Sequence, residues 1–232
     1  MANSAAFHVL VAGSRDPYHS PMCVSARPWF EQVSQEHDFT VEFTDNPADL
    51  TDVALSRCHV FVQLQLAPFD IPHEGQQSIQ RFIEGGGGWV GVHAAGLTGA
   101  QFSRPDRPHW DWFDAFMGGV NYSPHPAYQT GVMVVEDSSH PVMQGVSARV
   151  EMADEWYEFD ANPRGRVQVL AVADESSYKP NRPMGDHPLV WVNESYRRAV
   201  YIGVGHDSTA LANPDFGRIL TNAVLWAASR DL

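Results

Sequence analysis

The chain has 232 residues, 44% of them hydrophobic and 19% charged, with a formal net charge of −13. That length and composition fit one globular α/β domain over residues 1–232, with a core of its own. The negative charge excludes a nucleic-acid phosphate backbone and an anionic membrane surface as partners, since both need a basic face.

Taken in chain order, Phe7 to Gly13 reads as a buried strand ending in the polar turn Ser14-Arg15-Asp16-Pro17. A helix is expected over 25–37, with Pro28 confined to its first turn. Phe39 to Phe43 alternates as a second strand, and 46–55 suits a short helix. Residues 58–64 form a third apolar strand. Glu74 to Glu84 sets Ile79, Phe82 and Ile83 on one helical face. The glycines that follow are a natural helix stop, because glycine adopts the left-handed cap without steric cost. Trp89 to His93 is then a fourth strand. Strand and helix alternate throughout, which predicts right-handed βαβ crossovers and a mainly parallel, doubly wound sheet with helices on both faces.

Residues of about 98–126 are rich in proline, glycine, histidine and aromatics and read as an ordered excursion over the edge or the active face of the sheet. Strands are expected in TGVMVVED, RVQVLAVADE, PLVWVNES and RRAVYIGVGHD, the last two hairpin-like around Asn193 to Arg197. The C-terminal helix is capped by Asn213, opens with Pro214 and buries Phe216, Ile219, Leu220, Ala223, Val224 and Ala227. The N-terminal stretch MANSAAFHVLVAGSRD lacks a basic region and a long apolar run, so it is not read as a signal peptide. No run approaches the length of a membrane span. Two cysteines give no disulfide framework, and a soluble, cytoplasmic protein is expected.

Eleven histidines are the main chemical signal. His93 and His206 each follow an apolar strand with small neighbours, so both sit at carboxyl ends of strands, where ligands bind in open α/β sheets. His19, His109, His125, His140 and His187 lie at other strand ends or in Pro-flanked loops. A strand-end imidazole can also serve merely as a cap, but two in matching places favour function. Glu155, in Met152-Ala153-Asp154-Glu155-Trp156-Tyr157-Glu158, is the acidic partner; aromatic neighbours would desolvate it and raise its pKa, as acid–base work requires. His93, His206 and Glu155 also make a donor set for a divalent metal, zinc or a related ion. No HExxH or CxxC spacing is present, so such a site must be assembled from distant segments. GGGGW is not a phosphate loop, because its glycines precede a strand and no GxxxxGK[ST] occurs; no nucleotide cofactor is expected. Cys58 reads as a buried small hydrophobe, and Cys23 is the one thiol near the exit of the first strand.

Tyr18-His19-Ser20, GGGWVGVHAA, His109-Trp110, Phe116-Met117-Gly118-Gly119 and His125-Pro126 occur in that order. They are followed by His140-Pro141, Asp154-Glu155-Trp156-Tyr157, His187-Pro188-Leu189-Val190-Trp191, Gly205-His206 and Leu225-Trp226-Ala227. Together they resemble the ThuA-like family, named for trehalose utilisation, over nearly the whole chain. The resemblance implies a flavodoxin-like fold of the class I glutamine amidotransferase type. In those amidotransferases the strand ends in G-x-C-x-G with a cysteine nucleophile; here His93 occupies that apex, and Gly205-His206 matches the place of the catalytic histidine. Glutamine hydrolysis is thereby disfavoured. The resemblance further implies sugar catabolism, alongside oxidoreductases that form 3-keto disaccharides. The substrate class is then a glycoside or 3-keto-sugar derivative, handled by His93, His206 and Glu155, with His19 and His125 supporting. Trp110, Trp156 and Tyr157 offer faces for sugar stacking, and Trp112 suits either stacking or core packing. The competing readings are a non-catalytic sugar-binding or regulatory module, and a residual hydrolase using Cys23. A homo-oligomer is compatible with all three.

Overall fold

The computed structural model describes residues 7–228. The N-terminal stretch tested for a signal peptide lies partly outside them. The strands are β1 (Phe7–Gly13), β2 (Phe39–Thr44), β3 (Val60–Leu64), β4 (Gly88–Val92), β5 (Tyr122–Ser123), β6 (Gln129–Val135), β7 (Arg149–Asp154), β8 (Glu158–Phe159), β9 (Gln168–Asp174), β10 (Pro188–Asn193) and β11 (Ala199–Ile202). The α-helices are α1 (Ser20–Glu36), α2 (Asp52–Leu55), α3 (His73–Glu84), α4 (Asp111–Phe116) and α5 (Pro214–Ala228). No helix among the described residues is long and apolar enough to cross a membrane.

Nine strands form one sheet in the order β2-β1-β3-β4-β11-β10-β9-β6-β7, with β5 and β8 as a separate pair. From β2 to β11 neighbouring strands run parallel, as the βαβ alternation predicts. From β11 to β7 every pairing is antiparallel, beginning with the expected β10–β11 hairpin. Helices cover both faces. Met22 and Phe30 of α1 share one core with Phe216 and Ile219 of α5, while Leu55 of α2, Ile79 of α3 and Phe113 of α4 build the other.

Two features of this sheet position the site. First, the register sets Gly13 against Leu64, Leu64 against Val92 and Val92 against Ile202. Four parallel strands therefore end level, and Ser14, Gln65, His93 and Gly203 leave the sheet side by side. Second, four successive antiparallel pairings return β7 to the direction of β11, so Glu155 also emerges at the carboxyl edge. In a flat sheet four strand spacings would hold β7 about 19 Å from β11. The Gly205 N–H nevertheless donates to Asp154 Oδ2 at 2.7 Å. The antiparallel extension thus curls back so that the end of β7 meets the segment that follows β11.

Local departures from the sequence expectations have simple causes. Helix α1 begins at Ser20 with Pro21 in its first turn, so Pro28 falls inside the helix instead of opening it. The stretch 46–55 divides into a 3-10 turn, Pro47–Asp49, capped by Asn46, and α2, capped by Thr51. Asn213 Oδ1 accepts the N–H of Asp215 and Phe216, and the six residues expected to be buried in α5 are buried. The excursion is ordered by the 3-10 turn Ala100–Phe102, by α4 and by β5.

Ile219 has no exposed surface. Ile219→Ala is expected to lower the unfolding free energy by about 2–5 kcal/mol. Val53→Ala, at a position 62% exposed, should shift it by no more than about 0.5 kcal/mol. Urea denaturation of the two variants beside the parent checks both.

Candidate functional site

His93 stands at the apex of the turn after β4 with φ +48°, in the left-handed region that non-glycine residues rarely occupy. The turn is made tight by its neighbours. A Cβ on Gly91 would collide with the Trp89 ring, and one on Gly96 with the Tyr201 hydroxyl. The Tyr201 hydroxyl donates to the His93 carbonyl at 3.0 Å. The His93 ring is fully buried; Nδ1–H donates to the Gly203 carbonyl at 3.3 Å, which turns Nε2 toward the open end of the sheet.

Three residues meet His93 there. Glu155 Oε2 lies 3.4 Å from His93 Nε2 and 3.1 Å from His206 Nδ1, and the two imidazole nitrogens are 3.3 Å apart. His19 comes from the loop after β1, with its ring centre 5.7 Å from His93 and 5.4 Å from His206. One ligand atom from each of His19, His93, Glu155 and His206 falls within 4.8 Å of all the others. His125 reaches the same carboxylate from the excursion, with Nε2 3.3 Å from Glu155 Oε2, while its Nδ1–H donates to the Pro126 carbonyl at 2.7 Å. Tyr157 is buried against both, its ring centre 3.9 Å from His93 and 5.3 Å from His125.

A carboxylate unremarked in the sequence holds this arrangement together. Asp154 is fully buried and accepts N–H bonds from Glu155 at 2.9 Å, Gly205 at 2.7 Å and His206 at 3.3 Å. Its Oδ1 is 3.7 Å from His93 Nδ1. Asp16 does the same for His19, accepting from Nδ1 at 2.8 Å and from the His19 and Tyr18 amides. Gln65, with φ +59°, bridges the two strand-end turns: its amide donates to the Gly205 and His206 carbonyls, and its Oε1 accepts from Ala94 N–H. The one sequence signal for Asp16 is its spacing, one helical turn before His19. Gln65 announces itself only as a polar residue at the end of an apolar strand, and Asp154 only as an acid in an acidic stretch.

The electrostatics follow from burial and from these contacts. Burial pushes the His93 imidazole down to about 4, further than Glu155 can raise it, so His93 is neutral at pH 7. For Glu155, burial alone would raise the carboxyl. The neighbouring His206, His93 and His125 imidazoles outweigh it and hold Glu155 well below the usual carboxylate range. The raised acid expected at Glu155 is thus not found. Asp154 is the raised group, lifted to about 7 by burial against the three amides that stabilise its anion. For His206, burial pulls down but Glu155 more than compensates, leaving it above its ordinary value.

Other expected residues lie elsewhere. Trp156 turns away from the cluster: fully buried, it stacks on Tyr178 at 5.0 Å and donates Nε1–H to the Gln129 carbonyl at 3.0 Å. Trp110 stacks on Trp112 and Phe113 beside His109, which pairs with Asp114 at 2.9 Å. Trp112 lies flat on Phe116 in the same packing. His140 caps the 3-10 turn Pro141–Met143. His187 is buried between Glu175, Tyr178 and the Tyr157 carbonyl. The Cys23 thiol donates to the Leu64 carbonyl, and burial pushes it up to about 11, the opposite of an activated nucleophile. Cys58 is buried, as expected of a small hydrophobe.

The ThuA family model, described as trehalose utilisation, matches residues 8–227. The chain belongs to the ThuA family. A ThuA-like protein from Bacteroides uniformis ATCC 8492 has a TM-score of 0.88 at 26% identity, covering 100% of this chain and 95% of that one. A second ThuA-like protein, from Parabacteroides merdae ATCC 43184, has a TM-score of 0.69 at 18% identity, over 96% and 89%. The glutaminase domain of a CTPS from Trypanosoma brucei, with a TM-score of 0.53 at 13% identity over 97% and 95%, shares the class I amidotransferase-like fold. No curated protein matches the sequence. Within this ThuA chain an imidazole stands at the apex of the tight turn after β4.

Removing the Asp154 carboxylate strands three buried or half-buried amides. Asp154→Ala is expected to cost about 3 kcal/mol or more of unfolding free energy, measured by guanidinium denaturation; a cost under about 1 kcal/mol would show that the tie does not hold the extension in place.

Proposed function

We propose that this ThuA-family chain is an enzyme of sugar utilisation that acts on a glycoside carrying a 3-keto group, with a divalent metal held by His19, His93, Glu155 and His206. The observation that carries the reading is the spacing of the donor atoms. A tetrahedral zinc site with metal–ligand distances of about 2.0–2.1 Å has edges of about 3.3–3.4 Å. The edges among His93 Nε2, His206 Nδ1 and Glu155 Oε2 are 3.3, 3.4 and 3.1 Å. Three imidazoles with one carboxylate suit zinc or a related ion. His19 and His93 are each backed by a carboxylate or carbonyl on the other ring nitrogen, the usual support for metal-ligating histidines.

Five-coordination, which zinc accepts, would let a bound ion take the 3-keto oxygen beside its four protein ligands and act as its Lewis acid. The remaining steps belong to the side chains. The keto group acidifies the C2 proton. His125 is the imidazole at the edge of the cluster, and its Nδ1–H bond to Pro126 aims Nε2 inward. Nε2 takes the C2 proton; the C1–C2 double bond forms as the C1–O bond breaks. The departing oxygen then takes the proton back from the imidazolium, returning His125 to its neutral form. Products are an unsaturated keto sugar and an alcohol, with atoms and charge balanced. Tyr157 packs behind His93 and His125 and excludes water from their inner faces.

The test is turnover of 3-keto-trehalose or a 3-keto-glucoside by the full chain, with metal content measured in parallel. One equivalent of zinc or cobalt should bind, with His93→Ala or Glu155→Gln weakening it at least tenfold. Chelation should abolish turnover and metal should restore it. His125→Ala should retain the metal and lose turnover by about 100-fold or more, the usual range for a general base. Saturable sugar binding with no product under any condition would make the chain a binding module instead.

A further inference from the structure

Among the described residues, four large hydrophobic side chains are exposed: Tyr18, Val24, Val53 and Tyr128. Tyr128 adjoins the histidine cluster in space, and Tyr18 adjoins it in sequence. Tyr18 immediately precedes His19, and its backbone N–H is held at 2.9 Å by the same Asp16 carboxylate that orients the His19 ring. Its side chain is 77% exposed. Tyr128 lies three residues beyond His125 and is 41% exposed, with its ring centre 5.9 Å from His206. Its hydroxyl reaches Thr209 Oγ1 at 3.2 Å, and the Thr209 hydroxyl in turn donates to Asp207. Tyr128 therefore bridges the segment carrying His125 to the segment carrying His206 and keeps its ring at the mouth of the cluster.

Tyrosine combines an apolar face with a polar edge, which suits stacking on a ring that has one apolar face and a polar rim. We propose that Tyr18 and Tyr128 are the sugar-binding platform of the site, Tyr128 stacking on the C–H face of a pyranose and Tyr18 closing over it from the β1 side. The inference rests on the sugar-utilisation reading and names its binding residues. The occupant follows from the surroundings. Asp16 and Asp207 lie at the same edge and disfavour an anionic ligand, while Asp207 and Thr209 offer acceptors to hydroxyls. A neutral ring with one apolar face and hydroxyls on its rim matches both. The assignment also replaces Trp110 and Trp156, whose rings are committed to packing.

The experiment is calorimetric titration of the full chain with trehalose and with 3-keto-trehalose, using the parent, Tyr18→Ala, Tyr128→Ala, Tyr18→Trp, Tyr128→Phe and the distant control Val53→Ala. Tyr128→Ala is expected to weaken binding at least tenfold and Tyr18→Ala severalfold. Val53→Ala should stay within about twofold of the parent, and Tyr128→Phe and Tyr18→Trp should bind more tightly than the matching alanine variants, because the aromatic face carries most of the contact. Sugar binding undiminished in both alanine variants overturns the platform and leaves the proposed reaction standing. Failure of the parent to bind either sugar overturns the platform too. The proposed reaction fails separately, through binding without turnover.

Discussion

Asp154 lies without exposed surface at the end of β7, accepting the N–H groups of Glu155, Gly205 and His206. The curvature of the sheet and the composition of the site both depend on that contact. β7 is four strands from β11 in hydrogen-bonding order, and the carboxylate closes that gap. A buried charge is costly unless hydrogen bonds replace its water. Here three backbone donors do so, though burial still lifts the Asp154 carboxyl to about 7. Because Glu155 follows Asp154 directly and His206 donates to it, one anchored carboxylate fixes two members of the cluster at once.

The second determinant is the elbow. Level strand ends bring Gln65, His93 and Gly203 to one edge, and the close packing of Gly91 and Gly96 forces the turn that lifts His93 into a left-handed conformation. In the amidotransferase-like fold this apex suits a nucleophile, because the side chain is presented outside the sheet on a rigid support. The same support suits a ligand or a proton carrier equally well, and an imidazole kept neutral by burial serves as either. The fold conserves a way of presenting one atom, and residue chemistry decides its use.

The parallel half of the sheet was legible because its strands are continuous apolar runs separated by helices of the right length. The pairing of His93 with His206 was legible because both follow such runs. The antiparallel extension was only partly so. Arg149 to Asp154 alternates exposed and buried residues as an edge-type strand should, yet its acidic residues give it the look of a loop. Missing that strand left Asp154 without a role and Glu155 with the wrong expected shift: the carboxyl raised by burial is Asp154, and Glu155 is held ionised by imidazoles that come from other segments. Among the aromatic residues Tyr157 does pack against His93, while Trp156 faces away for a related reason. Composition cannot tell a tryptophan packed under the excursion or behind β6 from one facing a cleft, whereas the exposed Tyr18 and Tyr128 carry no periodic signal at all.

The proposed metal site is the claim on which the functional reading turns. Its most direct test is an anomalous difference map at the zinc edge, from crystals of the full chain grown with one equivalent of zinc. A single peak among His19 Nε2, His93 Nε2, His206 Nδ1 and Glu155 Oε2, at about 2.0–2.2 Å from each, is the predicted result. No peak there, or a peak bound only elsewhere on the surface, would contradict it.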